Sequence, residues 1–231
     1  MRVLLKLSGE AISSQDKVFD NNFLDEMARQ IKQIIKEKNS VAVVIGGGNM
    51  VRGKEFEAMG FSRVQADHMG MLATTLNCMA LAAALSKVKV KAKVMSAVTV
   101  DGVDPIDVDV ANELLDKNVV VLFGGGIGNP YFTTDTACAL RAIEVHADKI
   151  LIGKNQADGV FDKDPNKYKD AKMFKTMTFD DILDLKLSVM DTTAASLCRD
   201  NKVNVFVFNA NGKNNYVKAV QGKIKGTTIK A

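Results

Sequence analysis

The chain has 231 residues, 47% hydrophobic and 25% charged, with 31 basic against 27 acidic side chains for a net charge of +4. That length can bury a proper core, and the charge is too mild and too evenly spread to argue for nucleic acid, though it favours an anionic small molecule. Cys78, Cys138 and Cys198 are far apart, odd in number and without a C-x-x-C pair, which argues against a disulfide framework or a zinc site and suits reduced thiols in the cytosol. Lys6 and Glu10 interrupt the opening MRVLLKLSGE too early for a signal peptide, and the longest apolar run, MALAAAL, falls short of a membrane span. A cytoplasmic protein with no membrane or nucleic-acid partner is expected.

The first predicted strand, VLLKL (3–7), is apolar except for Lys6 and runs into Ser8 and Gly9. A lysine in a central strand needs an anionic partner, whereas on an edge strand it would only face outward. Position alone leaves both open. Leu24, Met27, Ala28, Ile31, Ile34 and Ile35 then share one helix face. VAVVI (41–45) reads as a second buried strand and leads into GGGNMVRGKE (46–55). From Gly48 this segment reads G-x-x-x-x-G-K, but Glu55 stands where a P-loop needs a Ser or Thr hydroxyl for Mg2+. The dinucleotide fingerprint fails as well, because Val51 stands where its last glycine belongs. Three consecutive glycines still exceed what a turn requires, and Arg52 is placed to fork onto phosphate oxygens.

HMGMLATTLNCMALAAAL (68–85) is expected to be a buried core helix, ahead of an oligomer interface. SAVTVDGVDPIDVDV (96–110) reads as a hairpin or an excursion. VVVLF (119–123) leads into a second glycine loop, FGGGIGNPYFTTD (123–135), whose Thr133, Thr134 and Asp135 suit a helix N-terminus. A capped helix with a flexible approach is the plainer alternative. Leu140, Ile143 and Ala147 mark the next helix, KILI (149–152) and VNVFVF (203–208) two more strands, and TFDD (178–181) a capping box.

Strand and helix alternating in this way imply an α/β fold with a mainly parallel sheet and helices on both faces. Ligands then bind beyond the carboxyl ends of the strands, where both glycine loops fall. Two phosphate cradles side by side point to phosphoryl transfer, which needs cations and alignment more than acid–base groups. Only His68 and His146 are present, with no G-x-S-x-G elbow.

LLKLSGEA, VVIGGGNMVRG, DHMGMLAT, GNPYFTTDT and DGVFDKDP stand in this order, and with them nearly the whole chain resembles the bacterial UMP kinases of the amino acid kinase superfamily. The resemblance implies a three-layer α/β/α sandwich, a single domain over 1–231 with a UMP side in the N-terminal lobe and an ATP side in the C-terminal lobe, and transfer from MgATP to UMP. It also implies a cytoplasmic homohexamer with UTP as inhibitor, and Mg2+ carried with ATP rather than held in a protein metal site. By motif, Lys6, Leu7, Ser8, Gly9, Gly48 and Arg52 would lie at the ATP phosphates, and Asn155, Phe161 and Asp164 at its base and ribose. Gly47, Asp67 and the run Ile127, Gly128, Asn129, Pro130, Tyr131, Phe132, Thr133, Thr134 would hold UMP. Lys6, Arg52, Asp135 and Asp191 would serve catalysis, Asp135 holding the loop and Asp191 orienting Lys6.

Plainer roles compete with several of these residues: a first-turn carboxylate for Asp135, a turn at Asp158-Gly159, a turn starter at Asp164, a core ring at Phe161, local hydrogen bonds for Asp67 and His68. The chain departs from the family pattern at Ile127, where Thr is frequent, at Gln156 and Ala157, and in the glycine-free loop SSQDKVFDNN (13–22). Apolar residues in ALAAALSK (80–87) predict weak or absent activation by GTP, although Lys87, Lys91 and Lys93 are near. The alternative to a kinase is a non-catalytic nucleotide sensor on the same fold; a carbamate or acylglutamate kinase would not carry DHMGM or GNPYFTTD.

Overall fold

The computed structural model describes residues 1–14, 17–155, 157–185, 187 and 189–230, with the backbone alone at 53, 54 and 57. Gln156, and positions 15 and 16 of the 13–22 loop, lie outside the described residues. The N-terminal half runs β1 (Arg2–Leu7), a 3-10 turn (Gly9–Ile12), α1 (Asn21–Lys36), β2 (Ser40–Ile45), α2 (Gly53–Ala58), α3 (Arg63–Lys87), β3 (Ala92–Ser96), β4 (Asp104–Pro105) and α4 (Val108–Asp116). The rest runs β5 (Val120–Gly124), α5 (Thr134–Glu144), β6 (Lys149–Lys154), β7 (Thr176–Thr178), α6 (Phe179–Asp184), α7 (Thr192–Asp200), β8 (Asn204–Asn209), α8 (Asn215–Val220) and β9 (Gly226–Lys230).

The strands form one sheet in the order β4-β3-β5-β2-β1-β6-β8-β9-β7. Every pair is parallel except β8 with β9. Alternation along the strands splits the core into two layers. Leu4, Ile150, Ile152 and Val207 point to the face covered by α4, α5, α6 and α7. Val3, Leu5, Leu7 and Leu151 point to the face covered by α1, α3 and α8. The architecture is the expected three-layer α/β/α sandwich around a mainly parallel sheet. Each fully buried Leu or Ile contributes about 1.5–3 kcal/mol to holding the layers together.

The five predicted strands are present within a residue or two. β1 sits in the middle of the sheet, so the edge-strand alternative for Lys6 is excluded. Segment 96–110 is neither a hairpin nor a plain excursion: a Val100–Val103 bridge closes a turn, the two-residue β4 follows, and α4 begins at Val108, capped by Asp107.

α3 starts at a Ser62/Gln65 capping box and runs 25 residues. It is not buried all round. Cys78, Leu81 and Leu85 enter the core, while Leu72, Leu76 and Met79 are 48%, 48% and 43% exposed. By length and composition it could cross a bilayer, yet half of the apolar stretch is packed inside the fold, as in the core helix of a soluble protein.

Candidate active site

The C-terminal ends of β2, β1 and β6 lie side by side at the middle of the sheet, so the loops that follow them converge. The loops after β1 and β2 are nested. A Cβ on Gly9 would sit 2.3 Å from the Gly46 carbonyl oxygen, so only glycine permits this approach. The Gly46 N–H donates to Leu7 O at 3.0 Å.

Helix α3 holds this loop from behind. Asn77, fully buried, donates from Nδ2 to Gly46 O at 2.7 Å and to Asn49 Oδ1 at 2.8 Å, and accepts from Asn49 Nδ2 at 3.0 Å. One turn earlier, Thr74 Oγ1 accepts the Gly125 N–H at 2.9 Å and donates to Met71 O at 2.6 Å. Gly125 has φ +75°, a left-handed conformation that favours glycine. Both glycine loops therefore hang from one rigid element.

Between them opens a cavity of about 480 Å3. Of the residues expected at UMP, Gly47, Asp67, Ile127, Asn129, Phe132, Thr133 and Thr134 line it. Gly128, Pro130 and Tyr131 do not. Tyr131 is 66% exposed, and its N–H donates to Asp67 Oδ2 at 2.7 Å, closing the second loop onto α3. Asp67 also receives Arg63 Nε, 2.9 and 2.8 Å from its two oxygens. Among the described residues His68 makes the local contact foreseen for it, to Val64 O.

Lys6 projects from β1 to the α5 side of the sheet. Its ammonium lies 3.1 Å from Asp135 Oδ1, and that buried oxygen makes no hydrogen bond, so it faces charge alone. The expected orienting partner, Asp191, is engaged elsewhere. It caps α7 through Ala194 N at 2.9 Å and accepts the hydroxyls of Thr133 and of Thr136, the latter at 3.0 and 3.1 Å. In this structure, then, the aspartate beside the Lys6 ammonium is Asp135, while Asp191 contacts the threonines that open α5. The reason is local. Asp191 stands before the first turn of α7, where free N–H groups claim its carboxylate.

On the other side of β1, the loop after β6 bounds a second cavity of about 510 Å3. Phe161 and Asp164 line it, together with Val189, Val207 and Lys154. Phe161 is only partly buried and bridges to Met173, so it is not simply a core ring. Asp164 does start a turn, accepting the Asn166 N–H at 2.9 Å. Asn155 faces a separate recess shared with Glu10 and Asn211.

Leu7 reaches the site only through its backbone, because its side chain is fully buried in the opposite core layer. Arg52 is half exposed and pairs with Glu10 at 3.5 Å and Glu55 at 3.4 Å; it lines neither cavity. Burial pushes the Lys154 ammonium below its ordinary pKa; nearby Lys6 adds to this and Asp135 opposes it.

A sequence model of the Amino acid kinase family matches residues 1–209. The chain belongs to the amino acid kinase family. Among curated relatives of this amino acid kinase, uridylate kinase of Mycoplasmopsis synoviae is 44% identical, over 99% of this chain and 97% of that protein. Uridylate kinase of Limosilactobacillus reuteri is 46% identical over 99% and 96%. The crystal structure of UMP kinase from Ureaplasma parvum superposes with a TM-score of 0.95 at 37% identity, covering 100% of this chain and 98% of that one.

Several contributors to this kinase's site carry weak signals in sequence. Arg63 is visible only as the partner four residues before Asp67. Asn77 and Thr74 are polar interruptions in an apolar helix. Lys154, like Lys6, is a lysine at the end of an apolar strand.

Proposed function

We propose that this amino acid kinase transfers the γ-phosphoryl group of MgATP to UMP, giving ADP and UDP, and so acts in the supply of pyrimidine nucleotides. The observation that carries this reading is the pair of cavities on either side of the central strand that bears Lys6, with Asp135 opposite its ammonium. Full-length similarity to proteins named uridylate kinase and UMP kinase supports the same substrate pair. No observation favours the sensor.

In this reading UMP occupies the cavity between the glycine loops, its ribose at Asp67 and its base under 127–134. ATP occupies the cavity over Phe161 and Asp164, and its phosphates reach back to Ser8, Gly9, Gly48 and Arg52; Asn155, which faces the neighbouring recess, meets the nucleotide only if the base extends into that recess. Occupying the first cavity exchanges the Arg63–Asp67 contact for a ligand contact. A UMP phosphate oxygen forms the new bond to the γ-phosphorus as the bond to the bridging oxygen breaks, and the electron pair leaves with ADP. The acceptor is already ionised near neutral pH, so no general base is needed. Lys6 neutralises the equatorial oxygens of the transferring group, and Asp135, 3.1 Å from its ammonium, aims it. Asp191 fixes the start of α5 and with it the 127–134 loop. Mg2+ carried with the nucleotide would supply charge neutralisation on its phosphates.

We further propose a single two-lobed domain, a cytoplasmic homohexamer, and inhibition by UTP. The test is ADP release from MgATP with UMP, CMP, dUMP, carbamate or N-acetylglutamate as acceptor, beside Lys6→Ala. Turnover with UMP that is lost in the variant supports the reading. Tight nucleotide binding without turnover on any acceptor overturns it in favour of a sensor.

A further inference from the structure

Lys154 ends β6, the strand next to β1. Lys6 pairs with Ile152 across these strands. Residues in register point to the same side, and side chains two apart on a strand share a face. Lys154 therefore projects to the same side of the sheet as Lys6, one strand over and two residues further on. At 4.8 Å between strands and 3.3 Å per residue, the two Cα atoms are about 8 Å apart.

Its surroundings do not explain a part-buried cation. Nζ donates to the Val189 carbonyl at 3.1 Å. Among the described residues no carboxylate forms an ion pair with it. It lines the cavity that Phe161 and Asp164 share, at the end of that cavity nearest Lys6 in the sheet. A part-buried ammonium held by one neutral carbonyl is costly unless an anion completes its coordination. The cost is visible in the downward pull on its proton affinity, from burial first and from Lys6 second.

We propose that Lys154 is a further phosphate-binding residue, receiving the phosphates of the nucleotide that lie between the ribose and the transferring group. This rests on the reading above that ATP occupies the cavity over Phe161. In that position Lys6 serves the group in transit, whereas Lys154 serves the one left behind. When the bond from the γ-phosphorus to the bridging oxygen breaks, negative charge accumulates on the β-phosphate of departing ADP, and Lys154 faces that charge. The Val189 carbonyl takes one N–H of the ammonium and fixes its position, and the phosphate occupies the remaining donor directions.

The competing account is structural: Lys154 only ties down Val189 and the chain leading to Asp191. Binding measurements on the full chain separate the two. ATP, ADP and adenosine affinities are measured for wild type, Lys154→Met and Lys154→Arg. A phosphate contact predicts that Lys154→Met weakens ATP and ADP by about 10- to 100-fold, the effect of losing a charged hydrogen bond. Adenosine affinity stays within about twofold, and Lys154→Arg recovers a good part of the loss. Equal weakening of all three ligands, or no weakening of any, overturns the proposal. Should Lys154→Met fail to fold, wild type supplies the second readout. Amine acylation followed by peptide mass mapping finds Lys154 protected by ATP but not by adenosine; protection by both or by neither overturns the proposal. These readouts do not involve UMP. Failure of the kinase reading appears as absent UMP turnover in wild type, and failure of this one as phosphate-independent binding.

Discussion

Replacing Asn77 by Asp tests whether α3 really holds the first glycine loop through a donor. The substitution keeps size and shape but removes the N–H that Gly46 O receives at 2.7 Å. A neutral carboxylic acid restores that contact, with its O–H donating to Gly46 O while its other oxygen still accepts from Asn49 Nδ2. An ionised carboxylate sets two acceptors against each other inside a fully buried site. Holding a carboxyl of ordinary value, about 3.9, protonated at pH 7 costs about 4 kcal/mol, since three pH units at 1.36 kcal/mol each are involved. The folded-state value is raised, so the variant's stability is intact below about pH 4 and is lost as pH rises. The gap to wild type grows by about 1.4 kcal/mol per pH unit until the ionised form takes over. Urea denaturation of both proteins at about pH 5, 6 and 7 reads this directly. KM for UMP should rise in parallel, because Gly47, next to Gly46, lines the cavity between the glycine loops. A gap that does not change with pH would refute the donor argument. So would a variant as stable as wild type at pH 7.

The remaining predictions concern neighbouring parts of the same machinery. Gly9→Ala drives a methyl to within 2.3 Å of Gly46 O, parting the nested loops; kcat/KM should fall about 100-fold with the fold retained by circular dichroism, and unchanged kinetics would mean the loops are slack. Asp135→Asn should lower kcat with little change in the KM for UMP, since it acts on Lys6. Asp191→Asn should mainly raise that KM, since it acts through Thr133, and identical kinetic profiles would dissolve the distinction. Burial pushes the Cys198 thiol up to about 12, and Cys78 and Cys138 are also raised by burial. All three should resist iodoacetamide at pH 8 until the chain is unfolded, and because their folded-state values are raised, stability should decline above about pH 9. GTP should raise the initial rate little or not at all at subsaturating ATP. Lys87 is already paired with Asp25 and Lys93 with Asp104, and a clear activation would contradict this.

The layers of the fold were legible where apolar runs were unbroken. β1, β2, β5, β6 and β8 are the strands buried on both faces, and each announces itself as a run of Val, Ile, Leu or Phe. β3, β4, β7 and β9 were not. AKVMS has only two neighbouring large apolar residues, DP has two residues, and TMT and GTTIK are broken up by threonines, so a local window sees little. At the site, Lys6 and the two glycine loops were legible as oddities against their surroundings. The pairing of Lys6 with Asp135 rather than Asp191 was not, because it depends on where α5 and α7 start relative to the sheet.

What sequence spacing conceals most is the part played by α3. Read along the chain, residues 68–85 look like filler for a core, since Met, Ala and Leu dominate and the polar residues seem scattered. In three dimensions Thr74 and Asn77 fall one turn apart on one side, and they secure Gly125 and Gly46 respectively. Asp67, at the start of the same helix, secures Tyr131 of the second loop. One element therefore sets the spacing between the two loops, and that spacing is the width of the acceptor cavity. The outward side of the same stretch bears Leu72, Leu76 and Met79. The same helix thus carries an exposed apolar side and, on its inner side, the two groups that space the glycine loops.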